Sequence, residues 1–231
     1  MSQLCYQLSS RGVIVAAVEH RDGSGCGSHY IEKTDDGDDV LTSVPHEYVK
    51  NDDSELQRRT EQIMLRSEEI RRTIDVLEML NSGEIIENCV VDSLLNNLVT
   101  TIKGNLDLKK NLFVAGHSFG GSSVMLASSQ DSRVKAVLAL DPWMFPLSQS
   151  RFKLDKPTLV INTEKFINQN NISVIKRAAD DDGVVQFKVM KSGVHLCATD
   201  IPAVFPSKLL SKGKTYQLHC SFSKHQLLIH Q

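Results

Sequence analysis

The stretch Leu112-Phe-Val-Ala-Gly-His-Ser-Phe-Gly-Gly121 limits the fold more than any other part of this chain. A short apolar run, suited to a buried strand, leads straight into Gly-x-Ser-x-Gly. Such a strand-to-helix turn lifts the Ser118 hydroxyl above a sheet. It also sets the backbone N–H of Phe119 beside that hydroxyl as an oxyanion donor. Gly116 and Gly120 leave room where side chains would collide, and Gly121 lets the next helix sit close. Five residues with three fixed recur by chance, so the weight comes from the flanks: the strand before and the helix-compatible Ser122–Ser129 after. The rival reading is a glycine-rich turn with an inert serine.

Strand and helix signals alternate through the rest of the chain. Val13–Val18 is a continuous apolar run after Gly12, as expected of a strand buried on both faces. Residues 22–53 show little periodicity, hold the acidic cluster Asp35, Asp36, Asp38 and Asp39, and read as a long surface loop. Ser54 opens a helix, with capping-box spacing to Gln57. Leu56, Ile63, Ile70, Ile74 and Leu77 share one face of it, and Gly83 ends it. Val90–Ile102 is a second amphipathic candidate. Strands follow at Val134–Leu140, Thr158–Asn162 and Val184–Met190, with a helix at Ile172–Ala179. This order implies an α/β fold, a mainly parallel sheet with helices on both faces.

At 231 residues the chain fits one domain with a sizeable core. Residues 1–205 are read as a partial α/β-hydrolase domain and 206–231 as a basic tail. No acidic residue follows Asp200, while Lys208, Lys212, Lys214 and Lys224 do. A net charge of -2 gives no reason to expect nucleic acid. No apolar run is long enough for a transmembrane helix. The start lacks the basic and apolar regions of a secretory signal, and Ser2 rules out myristoylation. Cys5, Cys26, Cys89, Cys197 and Cys220 are widely spaced and odd in number, against a disulfide framework or zinc site. A reducing, cytoplasmic setting is therefore expected, with no metal and no cofactor. Asn171-Ile-Ser173 is a glycosylation sequon that matters only in a secreted chain.

A serine nucleophile needs a base and an acid that orients it. On an α/β-hydrolase fold the chain order is serine, acid, histidine. His195 lies in the loop Lys191-Ser-Gly-Val-His195 after the last strand candidate, at the carboxyl edge where such sheets bind ligands. His219, His225 and His230 fall in the poorly patterned tail. His117, beside Ser118, is expected to point elsewhere. Asp141 and Glu164 both end strands, so position alone does not choose the acid.

Three strings together resemble the platelet-activating factor acetylhydrolase / lipoprotein-associated phospholipase A2 family. They are His20-Arg-Asp22, Gly116-His-Ser-Phe-Gly-Gly121 and Leu140-Asp-Pro-Trp-Met-Phe-Pro-Leu147. Leu159-Val-Ile-Asn-Thr-Glu164 and Gly193-Val-His195 follow in the same order. The resemblance implies Ser118, His195 and Asp141 as the triad and Phe119 as oxyanion donor. It places Trp143 by the substrate pocket, with Phe145 a further candidate for its apolar lining. It implies calcium-independent cleavage of short or oxidised sn-2 acyl groups from phospholipids; the family's membrane-docking helices lie largely upstream or in the C-terminal part, so at most weak contact with a membrane surface is expected.

The chain departs from that family in three places. Family members carry, upstream of the His-Arg-Asp strand, a loop whose backbone supplies the second oxyanion N–H. This chain is expected to begin after that loop and to lack the fold's first strands. Losing one such donor costs about 100- to 1,000-fold in turnover. The absent strand would leave buried backbone groups unpaired, at about 1–3 kcal/mol each. Pro142 stands where relatives often have a small residue, and the tail from Pro206 does not match. Two rival readings follow: an impaired family member acting as a binding module, and an α/β-hydrolase esterase acting on small soluble esters.

Overall fold

The structure, a computed structural model, describes residues 2–84, 86, 99–179 and 183–201. The basic tail and most of the helix candidate Val90–Ile102 lie outside these residues; 99–102 are helical. Four strands form a parallel sheet: β3 (Phe113–His117), β4 (Ala136–Leu140), β5 (Thr158–Thr163) and β6 (Val185–Met190), in that order across the sheet. Each further strand joins the same edge, so successive carboxyl ends stand side by side. Helices α1 (Ser2–Ser9), α2 (Glu55–Ser82), α3 (Phe119–Gln130) and α4 (Gln169–Ala178) accompany the sheet. A parallel sheet wound with helices and carrying a strand–Ser–helix elbow is an α/β-hydrolase-type architecture.

Burial alternates along β4: Val137 and Ala139 are buried, while Ala136, Leu138 and Leu140 are half-buried. The buried set meets Ile63, Ile70 and Ile74 of α2, Met125 and Ala127 of α3, and Val174 and Ile175 of α4 in one core. Helix α2 thus buries the isoleucine face that its periodicity predicts. Gly83 ends it at φ 90°, where its N–H reaches the Leu80 and Met79 carbonyls. A left-handed residue satisfies orphan carbonyls this way, and glycine does so at least cost.

Three local expectations fail, each for a physical reason. Val13–Val18 is not a strand; Ile14 is 54% exposed. An apolar run becomes a parallel strand only beside a ladder partner, and no described strand flanks this one. Residues 22–53 are not all loop, because β1 (Ser28–Lys33) and β2 (Asp39–Val44) pair as an antiparallel hairpin. Its tip is tight: the Gly37 N–H donates to the Thr34 carbonyl at 2.9 Å, and Gly37 sits at φ 87°. A type I turn followed by a left-handed glycine closes hairpins in this way. The capping box does not form either. Ser54 donates from N–H and Oγ to Asp52 Oδ1, at 2.9 and 2.6 Å, instead of capping α2.

The His20-Arg-Asp22 string fastens the segment before the hairpin to α2. His20 Nδ1 lies 2.8 Å from Glu69 Oε2, and Arg21 Nε donates to Glu69 Oε1 at 3.2 Å. Asp22, its side chain fully buried, accepts from Arg66 Nε at 2.5 Å. Burial works against the Asp22 carboxylate. The hydrogen bond and charge of Arg66, with help from Ser24, still hold its pKa below the ordinary carboxylate value.

Candidate active site

Ser118 sits between β3 and α3 at φ 57°, ψ -119°, a backbone region that L-residues avoid. The surrounding chain holds it there. Its N–H donates to the Leu140 carbonyl at 2.9 Å, and its own carbonyl accepts from Gly121 and Trp143 at 3.0 Å each. Such strain persists only where neighbouring bonds over-determine it, and it clusters at functional sites.

The glycines of the elbow do not act alike. A Cβ on Gly116 would lie 2.2 Å from the Gly120 carbonyl oxygen, a backbone atom that cannot swing away. A Cβ on Gly121 would come 3.0 Å from the Pro142 Cα, whereas one on Gly120 would meet nothing within 4 Å. Gly120 therefore contributes its carbonyl's close approach, not its own lack of a side chain. Gly116→Ala should cost about 3 kcal/mol, near the top of the range for overpacking. Chemical denaturation checks this, with Gly120→Ala as the contrast expected to lose less than about 1 kcal/mol.

The residues nominated from sequence come together at the carboxyl edge. The Ser118 Oγ lies 2.9 Å from His195 Nε2, and His195 Nδ1 lies 3.2 Å from Asp141 Oδ2. Asp141 is 1% exposed and sits at φ 44° directly after β4. Thr163, at the end of β5, holds both of its oxygens: the N–H donates to Oδ1 and the hydroxyl to Oδ2, each at 2.6 Å. Glu164, the other candidate acid, is exposed and turned away; its carboxylate accepts the Ser192 N–H at 2.6 Å. Its place is to anchor the loop that carries His195.

Three neighbours of His195 were not legible as such. Thr163 orients the carboxylate. Phe166 stacks on the imidazole, with ring centres 3.8 Å apart at 13°. His117 does not point elsewhere, because its Nε2 lies 2.9 Å from the His195 carbonyl and the two rings are 4.4 Å apart. Its contact is with the backbone carbonyl of His195, whereas the Ser118 hydroxyl meets the His195 ring. Burial, then the adjacent His195, pushes the His117 pKa below the ordinary histidine value, so its neutral form is favoured. Periodicity carries no signal for any of these three, because each acts through a partner distant in sequence.

Phe119 is the first residue of α3, so its N–H has no intrahelical acceptor and remains available beside Ser118. The Phe119 and Trp143 rings meet edge-on at 5.4 Å, and Trp143 stacks on Phe145 at 5.7 Å. Phe145 is 36% exposed at the outer end of this row, so it is not ordinary core. Arg66 lies over the Phe119 ring at 4.2 Å and Arg59 over Trp143 at 5.6 Å. His117, Asp141 and His195 also offer ligand atoms within 4.8 Å of one another. Two of the three are committed to the hydrogen-bonded chain with Ser118.

A family model described as platelet-activating factor acetylhydrolase, isoform II, matches residues 1–223. The chain belongs to the platelet-activating factor acetylhydrolase family. Platelet-activating factor acetylhydrolase of Cavia porcellus is 34% identical over 195 residues, covering 84% of this chain and 43% of that protein. The Canis lupus familiaris acetylhydrolase is 33% identical over 196 residues, with the same two coverages of 84% and 43%. The Gallus gallus acetylhydrolase is 29% identical over 213 residues, covering 88% of this chain and 50% of its own length. The chain thus spans about half the length of these acetylhydrolases. Among the described residues no helix is long and apolar enough to cross a membrane.

Proposed function

We propose that this chain is a serine esterase. Its substrates are the sn-2 acetyl, short or oxidised acyl esters of platelet-activating factor and related phospholipids. The observation that carries the reading is the continuous hydrogen-bonded chain from Ser118 through His195 to buried Asp141, on a strained elbow. Membership of the acetylhydrolase family supports the substrate class.

The chemistry follows from those contacts. His195 Nε2 takes the Ser118 proton as Oγ attacks the sn-2 carbonyl. Asp141 accepts a hydrogen bond from the imidazole Nδ1–H, which fixes its tautomer and stabilises the imidazolium that forms when Nε2 takes the serine proton. The tetrahedral oxyanion meets the Phe119 N–H. His195 then returns its proton to the leaving glycerol oxygen. A water molecule, deprotonated by the same histidine, cleaves the acyl-serine ester and frees Ser118. Phe119, Trp143 and Phe145 form the apolar wall. Thr163 and Phe166 hold the acid and base in place.

The test is hydrolysis of 1-alkyl-2-acetylglycerophosphocholine by the full chain, beside p-nitrophenyl acetate. The reading expects a higher kcat/KM for the phospholipid and no loss of rate on adding EGTA. Turnover of the soluble ester alone would favour a general esterase, and turnover of neither would exclude the esterase reading.

A further inference from the structure

We propose that Arg59 is an anion-binding residue of this site, taking the phosphate of the phospholipid whose ester lies at Ser118. The inference rests on the esterase reading above. Helix α2 sets two arginines over the aromatic row, Arg66 over Phe119 and Arg59 over Trp143; Arg66 is committed elsewhere, and so is Arg58, the neighbour of Arg59. Arg58 bonds Glu47 and Glu61, and Arg66 bonds Asp22 and Ser24. Arg59 is held more loosely, by a long i,i+4 ion pair with Glu55 and one bond to an amide. Its Nη1 donates to a neutral amide, Gln62 Oε1, at 2.9 Å. The Glu55 carboxylate stands 3.9 Å from Nε, beyond hydrogen-bond range. Its Nε is buried and has no hydrogen-bond partner. A buried guanidinium N–H without an acceptor is costly. The side chain as a whole keeps 21% exposure, so an anionic group arriving with the substrate would meet the guanidinium there and offset the cost of its burial.

Position supports the same ligand. The Arg59 guanidinium lies over the Trp143 ring, and the Trp143 backbone N–H donates to the Ser118 carbonyl. The Trp143 ring in turn meets Phe119, the residue after Ser118, edge-on at 5.4 Å, so the cation stands at the far side of the aromatic row from the elbow. In a glycerophospholipid the phosphate hangs from the carbon next to the sn-2 ester carbon. An ester seated at Ser118 thus brings a phosphate to the edge of the Trp143 ring. A planar guanidinium takes phosphate oxygens in a fork, which a point charge does not. The Trp143 ring beneath the cation holds it over the aromatic row.

Trp143 is the single tryptophan of the chain, so its fluorescence reports directly on this site. Binding is measured on the full chain carrying Ser118→Ala, which separates affinity from turnover. The ligands are monomeric 1-alkyl-2-acetylglycerophosphocholine, its phosphate-free analogue 1-alkyl-2-acetylglycerol, and inorganic phosphate. The phospholipid should bind about 10- to 100-fold tighter than the phosphate-free analogue, the range for a charge-assisted hydrogen bond. Arg59→Gln should erase that difference, and Arg59→Lys should keep part of it. Inorganic phosphate should bind at least about 10-fold more weakly than the phospholipid. The proposal is overturned if Arg59→Gln keeps the preference, or if the two lipids bind alike in the parent. It is also overturned if inorganic phosphate matches the phospholipid. If this preference stands while the chain that keeps Ser118 hydrolyses no ester, the esterase reading alone fails.

Discussion

Asp141→Asn should lower kcat about 10,000-fold while the protein still folds. The amide would present an N–H₂ where His195 Nδ1 needs an acceptor, at a contact that is now 3.2 Å. The imidazole would then turn over or change tautomer, and Nε2 would no longer accept the Ser118 proton. Thr163 limits the structural damage, since its N–H can still donate to the remaining carbonyl oxygen and its hydroxyl can reverse to accept. Steady-state hydrolysis of the acetyl phospholipid, with thermal melting as the fold control, reads both sides. Glu164→Gln is the contrast: its carboxylate meets the Ser192 N–H, so a change of less than about 10-fold is expected. A small effect at Asp141 with a large one at Glu164 would move the acid to the other strand.

Asp22→Ala should be the most destabilising change outside the site, costing about 3–5 kcal/mol. The Asp22 side chain is fully buried and that of Arg66 is 13% exposed. Removing the carboxylate leaves a mostly buried cation without its partner. The loss also loosens the chain entering the hairpin, because the carboxylate accepts from both the N–H and the hydroxyl of Ser24, while the bond from Gln62 to the Asp22 backbone carbonyl remains. Because the folded-state pKa of Asp22 is held low, its contribution is present above the unfolded value of about 3.9 and fades as pH falls through and below it. Glu69 behaves in the same sense: burial opposes its charge, but His20 and Arg21 hold its pKa down. The melting temperature of the parent should drop steeply below about pH 4. Asp22→Asn should start lower and flatten that slope. A variant that melts like the parent at pH 7 would show that the buried pair adds nothing.

The elbow and the two side chains that meet behind Ser118, Asp141 and His195, were legible as candidates because each is announced locally. The glycines around Ser118 mark a turn only small residues can make, and Asp141 and His195 end or follow runs that read as strands. The resemblance also singled out Asp141 over Glu164, and the fold turns Glu164 outward. What was not legible depends on partners distant in sequence. Thr163, Phe166 and His117 matter only because β3, β5 and the His195 loop converge. Val13–Val18 has strand composition, yet strand formation also needs a neighbour to pair with. The hairpin carried a readable signal in Asp36-Gly37 between Tyr30-Ile31 and Val40-Leu41, but its acidic tip outweighed its weak alternation. Ser54 shows the opposite error: the spacing for a cap is present, but Asp52 competes for the hydroxyl and wins.

The central claim is that the hydrogen-bonded chain behind Ser118 makes that serine a nucleophile. Labelling with a fluorophosphonate probe, followed by intact-mass and peptide mapping, tests it without choosing a substrate. The account predicts stoichiometric labelling of the folded chain, placed on Ser118, slowed at least about 1,000-fold by His195→Ala and abolished by Ser118→Ala. Equal labelling of the parent and Ser118→Ala, or none in a chain that melts cooperatively, would contradict it.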